Sequence, residues 1–298
     1  MPEANQTTQW KGQSRGGVLG YSIFIYLIRT LGVRAAYLLL MFVVIYFIPF
    51  APRSTKALWS FYRTHLGYSR WQSFLAIPRH YYRFGQTLID KVAINNGRES
   101  DYKFSFENFS QFEELLKKGE GLILIGAHVG SWEMGSLFFK EYGKRIHVVM
   151  YDAEYQKIKE LLARNSRKQE FKVLPVLPDS LESIIRIKSA LDSNDIVCFQ
   201  GDRFMPGQPV LTHQFLGEEA RFPAGPFKIA AKMDVNVVFY FAIREPHRGY
   251  SFRFMIPEKA ENRKDRESRY FNSFCINLEE TVKMYPEQWF NFYEFWNG

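Results

Sequence analysis

From residue 101 onward the chain alternates between short apolar runs and longer segments of mixed polarity. GLILIGA (121–127), RIHVVM (145–150), FKVLPVL (171–177), DIVCFQ (195–200), VNVVFYFAI (235–243) and SFRFMI (251–256) are short and rich in β-branched and aromatic residues. Bounded by polar and turn-forming positions, they read as strands. Between the first four lie segments predicted to be helical at 131–143, 152–168 and 179–193, the last opened by Asp179 with Glu182 three positions on, as in a capping box. Strand and helix in alternation predict an α/β fold with a largely parallel central sheet covered by helices. Internal repeats and low-complexity linkers are absent.

Two different textures precede this region. Residues 16–52 are the least soluble part, and the stretch from Ala35 to Pro52 carries no charge. Pro49 limits smooth helix to Ala35–Ile48, a rise of about 21 Å against about 30 Å of hydrocarbon in a bilayer. Lys11, Arg15, Arg29 and Arg34 lie before the run and Arg53 and Lys56 after it, so charge sets no inside or outside orientation. Cations on both flanks fit a helix or helical hairpin seated in one leaflet, or a short span. A buried core helix is the competing reading, and the lack of a small-x-small cleavage site argues against a cleaved signal. In residues 54–95, Trp59, Trp71, Phe74, Tyr81 and Phe84 are interleaved with Arg63, Arg70, Arg79 and Arg83. Such a helix buries rings while its guanidiniums stay with water or phosphate. The expected layout is an N-terminal apolar helical membrane anchor at 1–53, a helical bridge at 54–100 and an α/β domain at 101–298.

Composition sharpens this picture. Of the 298 residues, 46% are hydrophobic and 23% charged, as in a folded protein, but 17% are Phe, Tyr or Trp, an excess that suits an apolar or interfacial ligand. The formal charge of +8 favours acidic partners: an anionic membrane surface, a phosphorylated substrate, an acidic carrier protein or nucleic acid. Nucleic acid is disfavoured because the basic residues are dispersed and no binding module is present. Cys198 and Cys275 lie far apart and outside any C-x-x-C or metal spacing, which fits reduced thiols.

The chemistry concentrates at GLILIGAHVGSWEMG (121–135), where an apolar run stops at His128 and Glu133 follows five positions later. In a regular helix those two would be rotated about 140° apart, so they meet only if the chain turns between them. Gly130 and Ser131 supply such a turn, with Ser131 as N-cap and Glu133 in the first helical turn. His128 is then expected on the strand-to-helix loop at the carboxyl edge of the sheet, where α/β proteins gather ligands. A carboxylate beside an imidazole fixes its tautomer and stabilises the imidazolium formed on taking up a proton, so the pair reads as a general base with its orienter. A loop histidine satisfied by a backbone carbonyl is the plainer alternative. A zinc site is disfavoured, since no second His or Cys lies at ligand spacing.

QGDRFMPGQP (200–209) again follows an apolar strand. Gly201 and Gly207 permit a tight loop, and Arg203 offers a planar fork for phosphate or carboxylate, unless Asp202 ties it into a structural ion pair. Downstream, Arg221 precedes a Pro and Gly turn and a short helix beginning near Pro223, whose start suits an anion.

Together with the N-terminal apolar segment, the stretches HVGSWE, GDRFMPG and the C-terminal WFNFYEFW (289–296) resemble the bacterial lipid A biosynthesis acyltransferases, a branch of the acyltransferases carrying a His-x4-Asp/Glu motif. The resemblance covers essentially the whole chain. It implies a bacterial inner-membrane enzyme with its active site on the cytoplasmic face. Such an enzyme moves a fatty acyl chain from an acyl carrier protein or coenzyme A thioester to a hydroxyl of a lipid A precursor, the acceptor being an anionic glycolipid or phospholipid. No metal or other cofactor is implied. His128 and Glu133 are the catalytic residues so implied, with Gly201, Asp202, Arg203 and Arg221 as substrate-binding positions. Glu stands where many of the wider group have Asp. A lysophospholipid or aminolipid acceptor, a catalytically silent membrane-surface protein and a hydrolase are the rival readings. The hydrolase lacks a G-x-S-x-G elbow.

Overall fold

The computed structural model describes residues 18–135, 142–151, 171–176 and 180–296, with side chains from Ile23. The predicted helix at 152–168 lies outside the described residues, as does Asp179. Of the predicted 131–143 helix, the described start is a 3-10 turn, Trp132–Gly135. The chain folds as two compact units. One holds the chain up to Ser100 with Thr212–Arg221 and the segment from Thr281, and the other holds Asp101–Leu211 and Phe222–Glu280.

The second unit is built on a seven-stranded sheet of β1 (Lys103–Glu107), β2 (Leu122–Gly130), β3 (Ile146–Tyr151), β4 (Phe171–Val176), β5 (Ile196–Gln200), β8 (Asn236–Glu245) and β9 (Gly249–Met255). Their order is β1-β9-β8-β2-β5-β3-β4. Every neighbouring pair is parallel except β8 with β9, so the sheet is largely parallel, as its alternating sequence predicts. Strand β2 lies at the centre between β5 and β8, and Leu122 to Ile125 are at most 1% exposed. Burial on both faces explains why this strand reads as a continuous apolar run rather than an alternating one.

Helices α5 (Phe109–Lys117), α6 (Leu181–Asp192), α7 (Gly225–Lys232) and α8 (Arg266–Met284) cover the sheet with apolar faces. Phe112 of α5 stacks on Phe254 with ring centroids 4.2 Å apart, and Phe274 of α8 meets Phe239 edge-on at 5.5 Å. Each such buried ring contributes about 2–3 kcal/mol of apolar burial, enough to fix which helix face turns inward. Helix α6 starts at Ser180, whose hydroxyl accepts from the Ser183 N–H at 3.4 Å.

The first unit begins with α1 (Val18–Thr30) and α2 (Val33–Phe50), joined through Gly32 at φ +84°. Helix α2 runs past the break expected at Pro49 and ends one residue later; Pro49 forfeits only one i→i−4 bond this close to the end, and the Ala51 N–H closes the helix on the Ile48 carbonyl at 3.3 Å. At 18 residues it spans about 27 Å rather than the shorter length read from the sequence. The stretch expected as one bridging helix is two, α3 (Pro52–Ser60) and α4 (Arg70–Asn95), separated by a π-helical turn at Phe61–His65. Gly67 at φ +66° breaks the run, and Ser69 restarts it in a capping box with Gln72. Helix α2 lies antiparallel on α4: the Tyr37 hydroxyl bonds Asp90, Leu40 meets Gly85, and Phe47 packs edge-on against Tyr81. A Cβ at Gly85 would fall 2.4 Å from Leu40 Cδ1, so a larger residue there would make the Leu40 side chain move.

The hairpin of β6 (Val210–Phe215) and β7 (Glu218–Pro223) turns through Leu216 and Gly217, both at positive φ. The C-terminal aromatic stretch fills the core of the first unit. Trp289, 1% exposed, packs against Phe61, Phe215 and Phe295, and Trp296 stacks on His65.

Candidate active site

His128 lies inside β2 rather than on a loop beyond it. The regular pairing of β2 ends at Gly126, and the register with β8 shifts before Gly130 pairs with Ala242. The pleat is therefore interrupted around His128, freeing its side chain from the alternation that buries its neighbours. It is 25% exposed.

The turn after the histidine is built tightly. Gly130 adopts φ +65°, and a Cβ there would sit 1.9 Å from the Ala242 carbonyl oxygen, so only glycine fits. Ser131 donates its N–H to that same carbonyl at 2.8 Å, and its own carbonyl accepts from Met134. Tyr240, next to β2 on β8, donates its hydroxyl to the Trp132 carbonyl at 3.0 Å and pins the 3-10 turn. Glu133 stands in that turn, half-buried.

The place at His128 Nδ1 that the sequence pattern reserved for Glu133 is taken by Asp202, the residue two beyond the end of β5. Its Oδ1 lies 2.8 Å from Nδ1, and its Oδ2 accepts the His128 backbone N–H at 3.0 Å. Asp202 is 1% exposed. Counted from the sequence among the substrate-binding residues, it stands behind the imidazole with both oxygens on His128. Burial would raise its carboxyl, but the charge and hydrogen bond of His128, with the nearby charge of Arg203 and the backbone bond, outweigh it and hold the group at about 2. A carboxylate that stays ionised fixes the proton of a neutral ring on Nδ1 and leaves Nε2 free of it.

Gly201 sets this carboxylate in place. Its N–H donates to the Gly126 carbonyl at 2.8 Å, and a Cβ would meet Phe274 Cζ at 2.7 Å and Ile125 Cγ2 at 3.0 Å. Close packing against Phe274 and Ile125 accounts for a glycine at this position. Arg203 follows, its Nε buried. The structure thus brings His128, Gly201, Asp202 and Arg203 together at the carboxyl ends of β2 and β5. Arg221 lies exposed on β7 in the other compact unit.

A small apolar cavity of about 20 Å³ lies behind the turn between Leu124, Trp132, Cys198 and Tyr240. Burial pushes the Cys198 thiol up to about 12, so it stays protonated. A second His–Asp pair, His147 Nε2 to Asp195 Oδ2 at 2.8 Å, braces the amino ends of β3 and β5 and also holds Arg145. It lies at the opposite edge of the sheet from His128. Among the described residues no three His, Cys, Asp or Glu side chains gather as a metal site.

Sequence reasoning missed the orienting role of Asp202 and the bracing role of Tyr240. Asp202 is 74 positions from His128, and only the strand order β2-β5 makes them neighbours. The available signal was that both follow apolar strands, which predicts a common sheet edge without predicting contact.

His128, held by a buried carboxylate, thus lies at the carboxyl edge of the parallel sheet. The phosphatidylinositol mannoside acyltransferase of Mycolicibacterium smegmatis is 27% identical over 154 residues, covering 50% of this chain and 49% of that protein. The match thus spans about half the length of that relative. The profile of the family described as bacterial lipid A biosynthesis acyltransferase matches residues 18–297. The chain belongs to that acyltransferase family.

Proposed function

We propose that the protein transfers a fatty acyl chain from an acyl carrier protein or coenzyme A thioester to a hydroxyl of a lipid A precursor, with His128 as general base. The observation that carries this reading is the His128–Asp202 pair, in which one carboxylate engages both the ring Nδ1 and the backbone N–H of the same residue. That arrangement leaves Nε2 as the basic nitrogen. The acceptor hydroxyl gives its proton to Nε2 as its oxygen attacks the thioester carbonyl carbon. The tetrahedral intermediate then expels the thiolate, which takes the proton from the imidazolium and leaves as a thiol. No enzyme nucleophile is needed, and the protonated Cys198 supplies none.

Glu133, in the turn that follows His128, is the second carboxylate of the proposed site. Arg203 and Arg221 serve as anion-binding positions for phosphate on the acceptor or on the donor's phosphopantetheine arm, which a guanidinium grips as a fork. Helix α2 supports a membrane location. It is long and apolar enough to cross a membrane, with mean hydropathy 2.1, and only 22% of it is buried. The proposed setting is the inner membrane, with the site facing the cytoplasm. The similarity to an enzyme named for phosphatidylinositol mannoside favours, as a second reading, a different anionic glycolipid as acceptor.

The experiment is an assay of thiol release by the purified protein, offered acyl carrier protein and coenzyme A thioesters separately with defined lipid acceptors. Acceptor-dependent thiol release with acylated lipid as product supports the reading. Release that proceeds equally without acceptor makes the protein a thioesterase and overturns it.

A further inference from the structure

The face of α4 that packs on α2 continues past the end of α2. Tyr81, Tyr82 and Gly85 carry the packed part, through contacts with Phe47, Tyr37 and Leu40. Counting back by three and four residues from these positions leads to Leu75, Phe74 and Trp71 on the same side of the helix. Those three are 51%, 59% and 76% exposed. An apolar stripe that is covered along half its length and bare at its start is not explained by the core of the first unit.

The surroundings have the chemistry of a bilayer contact. The outward side of α2 is itself bare and apolar, with Leu38 62%, Phe42 71% and Ile45 69% exposed, which suits lipid rather than water. Arg70 next to Trp71, and Arg53 and Lys56 on α3, are exposed. The exposed Trp59 lies on α3 as well. Tryptophan with adjacent cations at the end of an apolar helix is the composition of a membrane–water interface, where the rings enter the headgroup level and the cations meet anionic phosphates.

We propose that Trp71, Phe74 and Leu75 at the start of α4 form a second lipid-contacting element, distinct from α2, that seats on an anionic bilayer surface. It rests on the proposal that α2 is lipid-embedded. It goes further by making the contact two-point, so that the first unit has a defined tilt on the membrane rather than hanging from one helix. Three apolar side chains of this size supply one signal for membrane contact, and the exposed Arg53, Lys56 and Arg70 supply the electrostatic second that a lasting contact needs.

The test uses the full chain in vesicles of phosphatidylcholine and phosphatidylglycerol carrying bromine on the upper acyl carbons, which quenches tryptophan within the bilayer. The fluorescence of Trp71 is isolated by subtracting the Trp71→Phe protein, and a Phe42→Trp protein reports separately on α2. The expected result is strong quenching of the Trp71 component, relieved when phosphatidylglycerol is omitted and salt is raised. An unquenched Trp71 with a quenched Phe42→Trp reporter overturns the proposal while leaving α2 in the bilayer. If neither is quenched, both fall. A Trp71 component that is blue-shifted yet unquenched places protein over the stripe, either a second copy or this chain's own N-terminus, and overturns the proposal as well.

Discussion

Replacing Asp202 with asparagine should abolish most activity, and the reason lies in the two bonds it makes. One carboxylate oxygen accepts the His128 backbone N–H at 3.0 Å while the other lies 2.8 Å from Nδ1. An asparagine has one oxygen and one NH2 for those two places. The NH2 cannot face the backbone N–H, since both are donors, so the amide oxygen stays there and the NH2 turns toward Nδ1. That forces Nδ1 to accept and moves the ring proton to Nε2, where the base is needed. A tautomer error of this kind lowers turnover by about 10²–10⁴-fold.

Stability changes too. Holding the carboxyl at about 2 instead of its ordinary 3.8 is worth about 2 kcal/mol. A depressed carboxyl contributes this stability above pH about 4 and loses it as the pH falls through about 2. The wild type should therefore lose more stability than Asp202→Asn over that acid window. The assay is single-turnover acyl transfer beside thermal unfolding at pH 7, with Glu133→Gln as comparison. Glu133→Gln is expected to lose less activity than Asp202→Asn. If Asp202→Asn keeps activity within about threefold of wild type, the tautomer argument is wrong.

Gly130→Ala should lower stability by about 3 kcal/mol or more, because its Cβ meets the Ala242 carbonyl at 1.9 Å and φ is +65°, and thermal unfolding measures this. Alkylation of the protein with iodoacetamide at pH 8 should leave acyl transfer intact, since the Cys198 thiol is pushed up to about 12, and mass spectrometry would show Cys198 unmodified. Arg203→Lys and Arg221→Lys should raise KM severalfold with kcat largely kept, in steady-state assays with donor and acceptor varied separately. Unchanged constants for both substrates would assign these arginines to structural ion pairs.

The sheet was legible because its central strands are buried on both faces and so appear as unbroken apolar runs, of which β2 is the clearest. Strand β1, KFSFE, was not. It is a short edge strand with alternating polar positions, and it gains its place only by pairing with β9, 146 residues later. The hairpin of β6 and β7 was hidden because its turn is Leu216–Gly217 rather than an Asn-Gly or Asp-Gly pair, with leucine held at positive φ by the surrounding structure. The reversal between β8 and β9 was hidden for a similar reason, since it passes through His247 and Arg248 in left-handed conformations that neither residue type signals.

At the site, the sequence placed the histidine and the two blocks at one sheet edge, because both follow strands. It could not rank Glu133 against Asp202 as the partner of His128. Five positions of separation made Glu133 the natural choice. The close approach of β5 to β2, permitted where Gly201 fits under Phe274, is a property of packing that spacing does not encode. Arg221 shows the converse, since its neighbourhood in the sequence suggested the same edge, yet it is grouped with the other compact unit.

The central claim is that His128 drives acyl transfer to a membrane lipid, and lipid mass spectrometry of cells expressing wild-type protein or His128→Ala tests it most directly. The account predicts one lipid class heavier by one acyl chain with the wild type and absent with His128→Ala, at equal protein in the membrane fraction. The same heavier lipid in cells carrying His128→Ala would contradict it.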